Sequence, residues 1–345
     1  MSGDAFETTH RVLVDDARSL DLPDDSVELV VTSPPYPMIE MWDGVFADLD
    51  PAVGEALEAG DSDAAFEAMH ELLDGVWAEV ARVLAPGGIA AVNVGDAARK
   101  LDDAFRLYPN RVAVTDAVTD HGLSPLPGIT WRKPANSAAD FMGSGMLPPN
   151  AYVTLEHEAI LLFRNGGLRS FPPGDRRRYE SAYFWEERNE WFSDLWTDVR
   201  GVDQALPESG RRDRSAAFPL ALPYRLIAMF STYGDTVLDP FLGTGTTSLA
   251  ALVAGRESVG YELDADLAAA LDERIGDAPA LSRKLVADRL DAHRAFAAEN
   301  PDRVSYEATH YDFGVVTKQE RDLRLYAVEG VEETPDGYRA RHAPI

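Results

Sequence analysis

The 345-residue chain contains no cysteine. That absence excludes disulfides, thiolate metal sites and any mechanism in which a cysteine attacks the substrate. Lysine is nearly as scarce: Lys100, Lys133, Lys284 and Lys318 are all there are, so almost every cation is arginine. No stretch approaches the roughly 18 apolar residues of a membrane span, and the opening MSGDAFETTHRVLVDD has neither a basic leader nor a hydrophobic run. The expectation is a cytoplasmic protein with no membrane contact.

Acids, by contrast, are abundant. The formal net charge is −27, and the acids are spread along the whole chain instead of forming a tail. Such a charge would ordinarily argue against a nucleic-acid partner, because phosphates are drawn to Lys and Arg. A diffuse acidic surface that avoids lysine also fits a halophilic protein, in which strong salt screens self-repulsion over a few ångströms and net charge maintains solubility. The charge then reports the solvent and not the partner; an ordinary acidic enzyme is the alternative.

Hydrophobic patterning predicts alternating strands and helices. Residues 11–17 (RVLVDDA) and 27–31 (VELVV) read as strands, and a helical period runs from Asp63 to Leu84, where Pro86-Gly87-Gly88 stops it. Further strands are expected at 89–94, near 128–132 and at 157–163, with a helix around 110–121. After Pro223 come a helix (YRLIAMFS), the strand TVLD (236–239), a glycine loop, a helix over 246–254 and the strand SVGYEL (258–263). Residues 264–300 read as helix, and the last part has β-like pieces around a Pro335-Asp336-Gly337 turn. This alternation predicts an α/β fold with a mostly parallel sheet and helices on both faces.

Residues 164–214 break the pattern. Ten arginines face ten acids there, interleaved with Phe171, Tyr179, Tyr183, Phe184, Trp185, Trp191, Phe192 and Trp196. Arginine mixed with exposed rings suits a groove for nucleic acid, with Arg176, Arg177, Arg178, Arg211 and Arg212 as candidate DNA contacts; a small satellite core is the alternative. Specificity would then rest on base-edge and stacking contacts with modest dependence on salt.

Two short stretches carry chemistry. In LDPFLGTGTTSLAAL (238–252), Gly243 and Gly245 join a buried strand to a helix and let backbone approach a ligand closely. It is not a phosphate loop, since GxxxxGK[ST] is absent and no cation follows the glycines. The next strand ends in Glu262, an acid suited to the two hydroxyls of a ribose. Asp239 is placed to hold an ammonium, and a ligand with a ribose, an ammonium and no phosphate is S-adenosylmethionine. The other stretch, VVTSPPYP (30–37), puts two prolines and a tyrosine at the end of a strand.

TSPPY with DPFLGTGTT and GYELD resembles the amino-methyltransferases of DNA. The order, catalytic motif first and cofactor motif last, is that of their circularly permuted beta group. The resemblance runs from about Arg11 to Asp266 and includes RVLAPGG, WRKP (131–134), HEAILLF and AAFPLALPYRLI. The chain departs from it where Ser215, Ala216 and Ala217 precede Phe218-Pro219 in place of a histidine, and at Asp15, where a glycine is common.

The resemblance implies a Rossmann-like methyltransferase fold. It implies a catalytic half (1–163), a target-recognition insert (164–215) and a cofactor half (216–278); the C-terminal extension (279–345) lies outside the resemblance and completes the fold, dimerises or binds a partner. Ser33 and the carbonyl of Pro34 would accept the two hydrogens of the target amine. Pro35 would stiffen the loop and Tyr36 would stack on a base swung out of the duplex. Pro240, Phe241 and Thr246 would join Asp239, Gly243, Gly245 and Glu262 around the cofactor, with Asp16 accepting from its adenine amino group. Phe241 packs on that adenine or fills core. Trp131, Lys133 and Pro134 border the target pocket or, for Trp131, fill core. His157 and Glu158 point to opposite faces of a strand, form no metal pair and are structural; no metal is expected. Serine at position 33 favours the N4 amine of cytosine, with the N6 amine of adenine as alternative, and carbon-5 methylation is excluded by the missing cysteine. Double-stranded DNA is the implied partner, with a companion restriction endonuclease and a homodimer as further possibilities. A non-catalytic DNA-binding module and transfer to RNA or a glutamine side chain are the rival readings.

Overall fold

The computed structural model describes residues 5–101, 104–133, 145–199 and 218–345. The chain runs through β1 (Phe6–Val14), β2 (Val27–Thr32), α1 (Asp43–Leu49), α2 (Pro51–Glu58), α3 (Ser62–Val83) and β3 (Leu84–Val94). The hairpin of β4 (Ala97–Leu101) and β5 (Ala104–Tyr108) follows, then α4 (Asn110–Asp120), β6 (Ser124–Arg132) and β7 (His157–Arg164). Next come α5 (Arg176–Glu180), α6 (Trp185–Trp191), β8 (Leu195–Trp196), α7 (Ala221–Phe230), β9 (Thr236–Asp239), α8 (Thr246–Val253) and β10 (Glu257–Glu262). The C-terminal part holds α9 (Ala265–Ala268), α10 (Ala270–Ile275), α11 (Ala278–Glu299), β11 (Tyr306–Glu307), β12 (Gly314–Val315), β13 (Tyr326–Thr334) and β14 (Gly337–Pro344).

Ten strands form one sheet in the order β13-β14-β1-β10-β9-β2-β3-β7-β6-β8. Its centre, β1-β10-β9-β2-β3, is parallel throughout. These strands are covered on both faces, which is why Leu29, Val30 and Val31 of β2 and Val237 and Leu238 of β9 are consecutive apolar residues. Leu29 and Val31 of β2 pack with α7 and α8 on one face. Val27 and Val30 pack with Met69, Leu73, Val76, Trp77 and Val80 of α3 on the other. From β2 the sheet grows one way to β3, and from β9 it grows the other way to β10. In open α/β sheets such a reversal leaves a crevice at the carboxyl ends of the two strands, where ligands bind.

Several elements differ from the expectation. The first strand covers residues 6–14 instead of 11–17, because its first half pairs antiparallel with β14. The helical stretch after 264 is three helices, broken at Ala269 and again at Gly276-Asp277 ahead of Pro279. Residues 279–345 complete the sheet: β13 and β14 turn at Pro335-Asp336-Gly337, and β14 becomes the neighbour of β1. The aromatic residues of the insert are mostly core. Trp191 and Trp196 join the main cluster, while Phe184 packs with Val286, Leu290 and Leu325 in a smaller cluster, so the satellite-core alternative holds for Phe184 and the two tryptophans extend the main core.

Candidate active site

The crevice between β2 and β9 brings the two motifs together although 207 positions of sequence separate Thr32 from Asp239. Thr32, the last residue of β2, donates its hydroxyl to Asp239 Oδ1 at the end of β9, 2.6 Å away. A cavity of about 670 Å³ opens there, lined by Ser33 and Tyr36 from one motif and by Phe241, Gly243 and Glu262 from the other, with Asp16 at its side. That volume lies within the range of sites for drug-sized ligands. Pro34, Pro35, Asp239, Pro240 and Thr246 also line it, whereas Gly245 sits just behind as the cap of α8.

Asp239 is almost fully buried, and burial pushes its carboxyl up to about 6. Its Oδ1 also accepts from the Phe241 amide at 3.1 Å. Glu262 is oriented by two backbone donors: Oε2 accepts from Gly243 at 2.8 Å and Oε1 from Asp264 at 3.0 Å. Each oxygen keeps a lone pair for a ligand, and burial raises this carboxyl as well. Phe241 meets Trp77 edge-on, with centroids 6.0 Å apart, while lining the cavity, so it packs on core and faces the ligand space at once. Thr246 Oγ1 accepts from Arg274 at 3.0 Å, and the same guanidinium nitrogen donates to Thr244 O at 2.9 Å. Arg18 is the one cation among the described residues that lines the cavity, and it is occupied by Asp16: Nη2 lies 2.6 Å from Oδ2, and this hydrogen bond holds Asp16 below the usual carboxylate range. The donor set fits a cationic nucleoside better than a phosphate.

At the other end of the cavity, Tyr36 Oη lies 2.9 Å from Ser33 Oγ, 2.9 Å from Asn93 Nδ2 and 3.0 Å from Glu158 Oε2. Burial raises the phenol well above its ordinary value, so Tyr36 keeps its proton. Glu158 also receives Asn93 Nδ2 at 2.6 Å and Lys133 Nζ at 2.8 Å. The ring lies close over Gly95, where a Cβ would stand 3.0 Å from Cε2. Sequence reasoning set Glu158 aside as structural; the fold brings it to Tyr36. The signal was an acid opening an otherwise apolar strand, HEAILLF, and its meaning depended on the antiparallel register that seats β7 beside β6 and β3. His157 is exposed, as expected for the opposite face. Trp131 is fully buried with Nε1 donating to Val199 O at 2.8 Å, which is the core role.

The arginines of α5 are not brought to this cavity. Arg169 pairs with Asp235 at the amino end of β9, and Arg177 lies near Gly234 at that same end. Arg176 pairs with Glu180, and Arg178 stacks on Phe171 with its guanidinium carbon 4.8 Å from the ring centre. All three are exposed but belong to the edge of the sheet opposite the crevice. Arg211 and Arg212 lie outside the described residues, as do Pro134 and Ser215 to Ala217.

Comparison with known proteins adds to this geometry. The family model for DNA methylases (N6_N4_Mtase) matches residues 27–273. The type II methyltransferase M.MthZI of Methanothermobacter thermautotrophicus is 51% identical over 325 residues, covering 93% of this chain and 91% of that protein. The type II methyltransferase M.MjaI of Methanocaldococcus jannaschii is 48% identical over 281 residues, covering 78% and 92%. Among solved structures, a DNA modification methylase from Thermus thermophilus, complexed with S-adenosyl-L-methionine, superimposes with a TM-score of 0.58 at 33% identity over 77% of this chain and 94% of its own. The cytosine-N4-specific PvuII DNA methyltransferase shares the fold, with a TM-score of 0.56 at 18% identity over 77% and 87%.

Proposed function

This chain belongs to the DNA methylase family and uses S-adenosylmethionine, and from that premise we propose that it methylates the exocyclic N4 amine of cytosine at a specific site in duplex DNA. The observation that carries the proposal is the 2.6 Å bond from Thr32 to Asp239, which ties the loop of Ser33 to the cofactor strand across one cavity. When bound, S-adenosylmethionine supplies an electrophilic methyl group on a sulfonium. Asp239 would hold its ammonium, Glu262 its ribose, and Phe241 and Asp16 its adenine, with Pro240, Gly243 and Thr246 shaping the pocket wall.

The chain's own task is to aim the amine. An exocyclic amine is a poor nucleophile because its lone pair is delocalised into the base. Ser33 Oγ and the carbonyl oxygen of Pro34 would accept its two hydrogens and turn that lone pair toward the methyl group. Pro34 and Pro35 hold those acceptors with little residual freedom, so little entropy remains to be lost on the way to the transition state. The target base must leave the duplex to reach them, with the ring of Tyr36 as its stacking surface. Serine at position 33 supports cytosine N4 over adenine N6. The type II methyltransferases among its relatives support a place beside a restriction endonuclease, and the lysine-poor acidic composition supports a salt-rich working solvent.

Mass spectrometry of nucleosides from DNA treated with the protein and labelled cofactor tests this directly. N4-methylcytosine is the expected product. N6-methyladenine as the sole product would overturn the base assignment, and no incorporation in low or high salt would favour a binding module.

A further expectation arises from Thr32. Thr32→Val removes the hydroxyl that lowers the Asp239 carboxyl, so that carboxyl rises further and cofactor affinity falls away at a higher pH than in the wild type. Leaving a buried acceptor short of one donor also costs about 1–3 kcal/mol of stability. Isothermal titration from pH 5 to 7, with a melting curve, measures both.

A further inference from the structure

Tyr36 Oη has four polar neighbours: Ser33 Oγ, Asn93 Nδ2 and Glu158 Oε2 within 3.0 Å, and the neutral Asn93 carbonyl oxygen farther off at 3.5 Å, a weaker acceptor than the carboxylate. Asn93 Nδ2 donates to Oη and to Glu158 Oε2; turning the amide over would set its oxygen against a carboxylate 2.6 Å away, so the nitrogen belongs there. Glu158, paired with Lys133, can only accept. The phenol has one hydrogen to give, and a charged acceptor is the stronger claimant, so Tyr36 donates to Glu158. Oη then accepts from Asn93 and can accept once more. Ser33, 2.9 Å away, must therefore donate to it.

We propose that Glu158 is a positioning residue which, acting through Tyr36, fixes the Ser33 hydroxyl as a hydrogen-bond acceptor toward the target amine. This rests on the amine-methylating function argued above. An aspartate at position 33 would be an acceptor by its own charge. A serine hydroxyl can rotate and donate to the amine's lone pair, engaging the electrons that must attack the methyl group. With its hydrogen committed to Tyr36, Ser33 presents only lone pairs to the cavity. The chain Ser33 to Tyr36 to Glu158 gives a neutral side chain the one-way behaviour of a carboxylate.

A neutron structure of the ligand-free protein tests the direction independently of turnover. A deuteron on Ser33 Oγ aimed at Tyr36, and one on Tyr36 aimed at Glu158, are expected; the Tyr36 deuteron aimed at Ser33 would overturn the proposal. Kinetics give a second measure. Glu158→Gln and Tyr36→Phe should each lower kcat about 100-fold, as small misplacements of reacting groups do, with the KM for DNA and the calorimetric cofactor affinity largely unchanged. Because both cut one chain, the double variant should be no worse than either single one, and Glu158→Asp should recover part of the loss. Tyr36→Phe keeps the ring, so stacking alone would leave its kcat intact. Unaltered kcat, losses that multiply, or parallel losses of kcat and cofactor affinity would each refute the proposal. If Glu158→Gln fails to fold, Tyr36→Phe still decides. Wild-type protein that transfers no methyl group would strike at the functional reading, while the deuteron positions would still judge the hydrogen-bond direction.

Discussion

Replacing Asp239 with asparagine is expected to weaken S-adenosylmethionine binding at least about 100-fold, as loss of one partner of a buried charge pair does, while raising the melting temperature of the free protein. The two effects share one cause. Burial raises the Asp239 carboxyl from 3.8 to about 6. Below pH 3.8 it is protonated in both folded and unfolded chains and contributes no difference. Between 3.8 and about 6 the unfolded chain ionises first, so the folded state loses stability as pH rises and stays lower above 6. Two pH units correspond to about 3 kcal/mol, an order-of-magnitude cost that a neutral amide avoids. On the proposed reading, that charge is the partner of the cofactor's ammonium. Cofactor affinity in the wild type should be flat above about pH 6 and fall about tenfold per unit below it, since a ligand ammonium pairs only with the ionised form. The Asp239→Asn variant should lose that slope. Calorimetric titrations and melting curves of both proteins check the pair, and a variant that is less stable yet binds normally would separate Asp239 from the cofactor.

The sequence made the centre of this molecule easy to read and its margins hard. β2 and β9 are buried on both faces, so each carries consecutive apolar residues, Leu29 to Val31 and Val237-Leu238, and the motifs follow at their carboxyl ends. β1 was harder because its first half points polar residues inward. Thr8 bonds His10 and His342 at 2.9 and 2.8 Å, and His10 bonds Ser258 at 2.9 Å, a buried polar cluster that hides the strand from any hydrophobic count. Burial pushes His10 down to about 3 and His342 down to about 4, so both are neutral near pH 7. The partner strand β14 brings His342 to Thr8 across 334 positions of sequence, beyond what local pattern can reveal.

The aromatic residues of the insert were hard to read for a different reason. Arginine and aromatic residues look alike on a DNA groove and on a protein seam. Arg289 and Glu187 form a buried pair, and Phe184 stacks on His293 with centroids 4.0 Å apart, so α6 serves to hold α11. Composition could not distinguish the two uses, because each cation's partner is chosen by the fold. Glu158 is the converse case. Its strand was placed correctly, but its neighbours Tyr36 and Asn93 come from strand ends that become adjacent only through the order β2-β3-β7.

The two glycines of the cofactor loop should respond differently to the same substitution. Both have positive φ, +55° at Gly243 and +78° at Gly245, so alanine at either costs about 1–2 kcal/mol of backbone strain. Beyond that they part. A Cβ on Gly245 would stand 2.9 Å from both Cβ and Cδ1 of Leu271, so Gly245→Ala forces α10 away from α8 and adds overpacking of about 1–3 kcal/mol. A Cβ on Gly243 meets no protein atom nearer than Phe241 O at 4.0 Å, yet that residue lines the cavity. Gly243→Ala should therefore melt only slightly below the wild type and bind S-adenosylmethionine at least about tenfold more weakly, the methyl group occupying space meant for ligand. Gly245→Ala should melt lower still, with its loss of binding following from a displaced loop. Melting curves with and without cofactor separate the cases: the cofactor should raise the midpoint of Gly245→Ala more than that of Gly243→Ala. Equal shifts would mean that the backbone at Gly243 does not approach the cofactor.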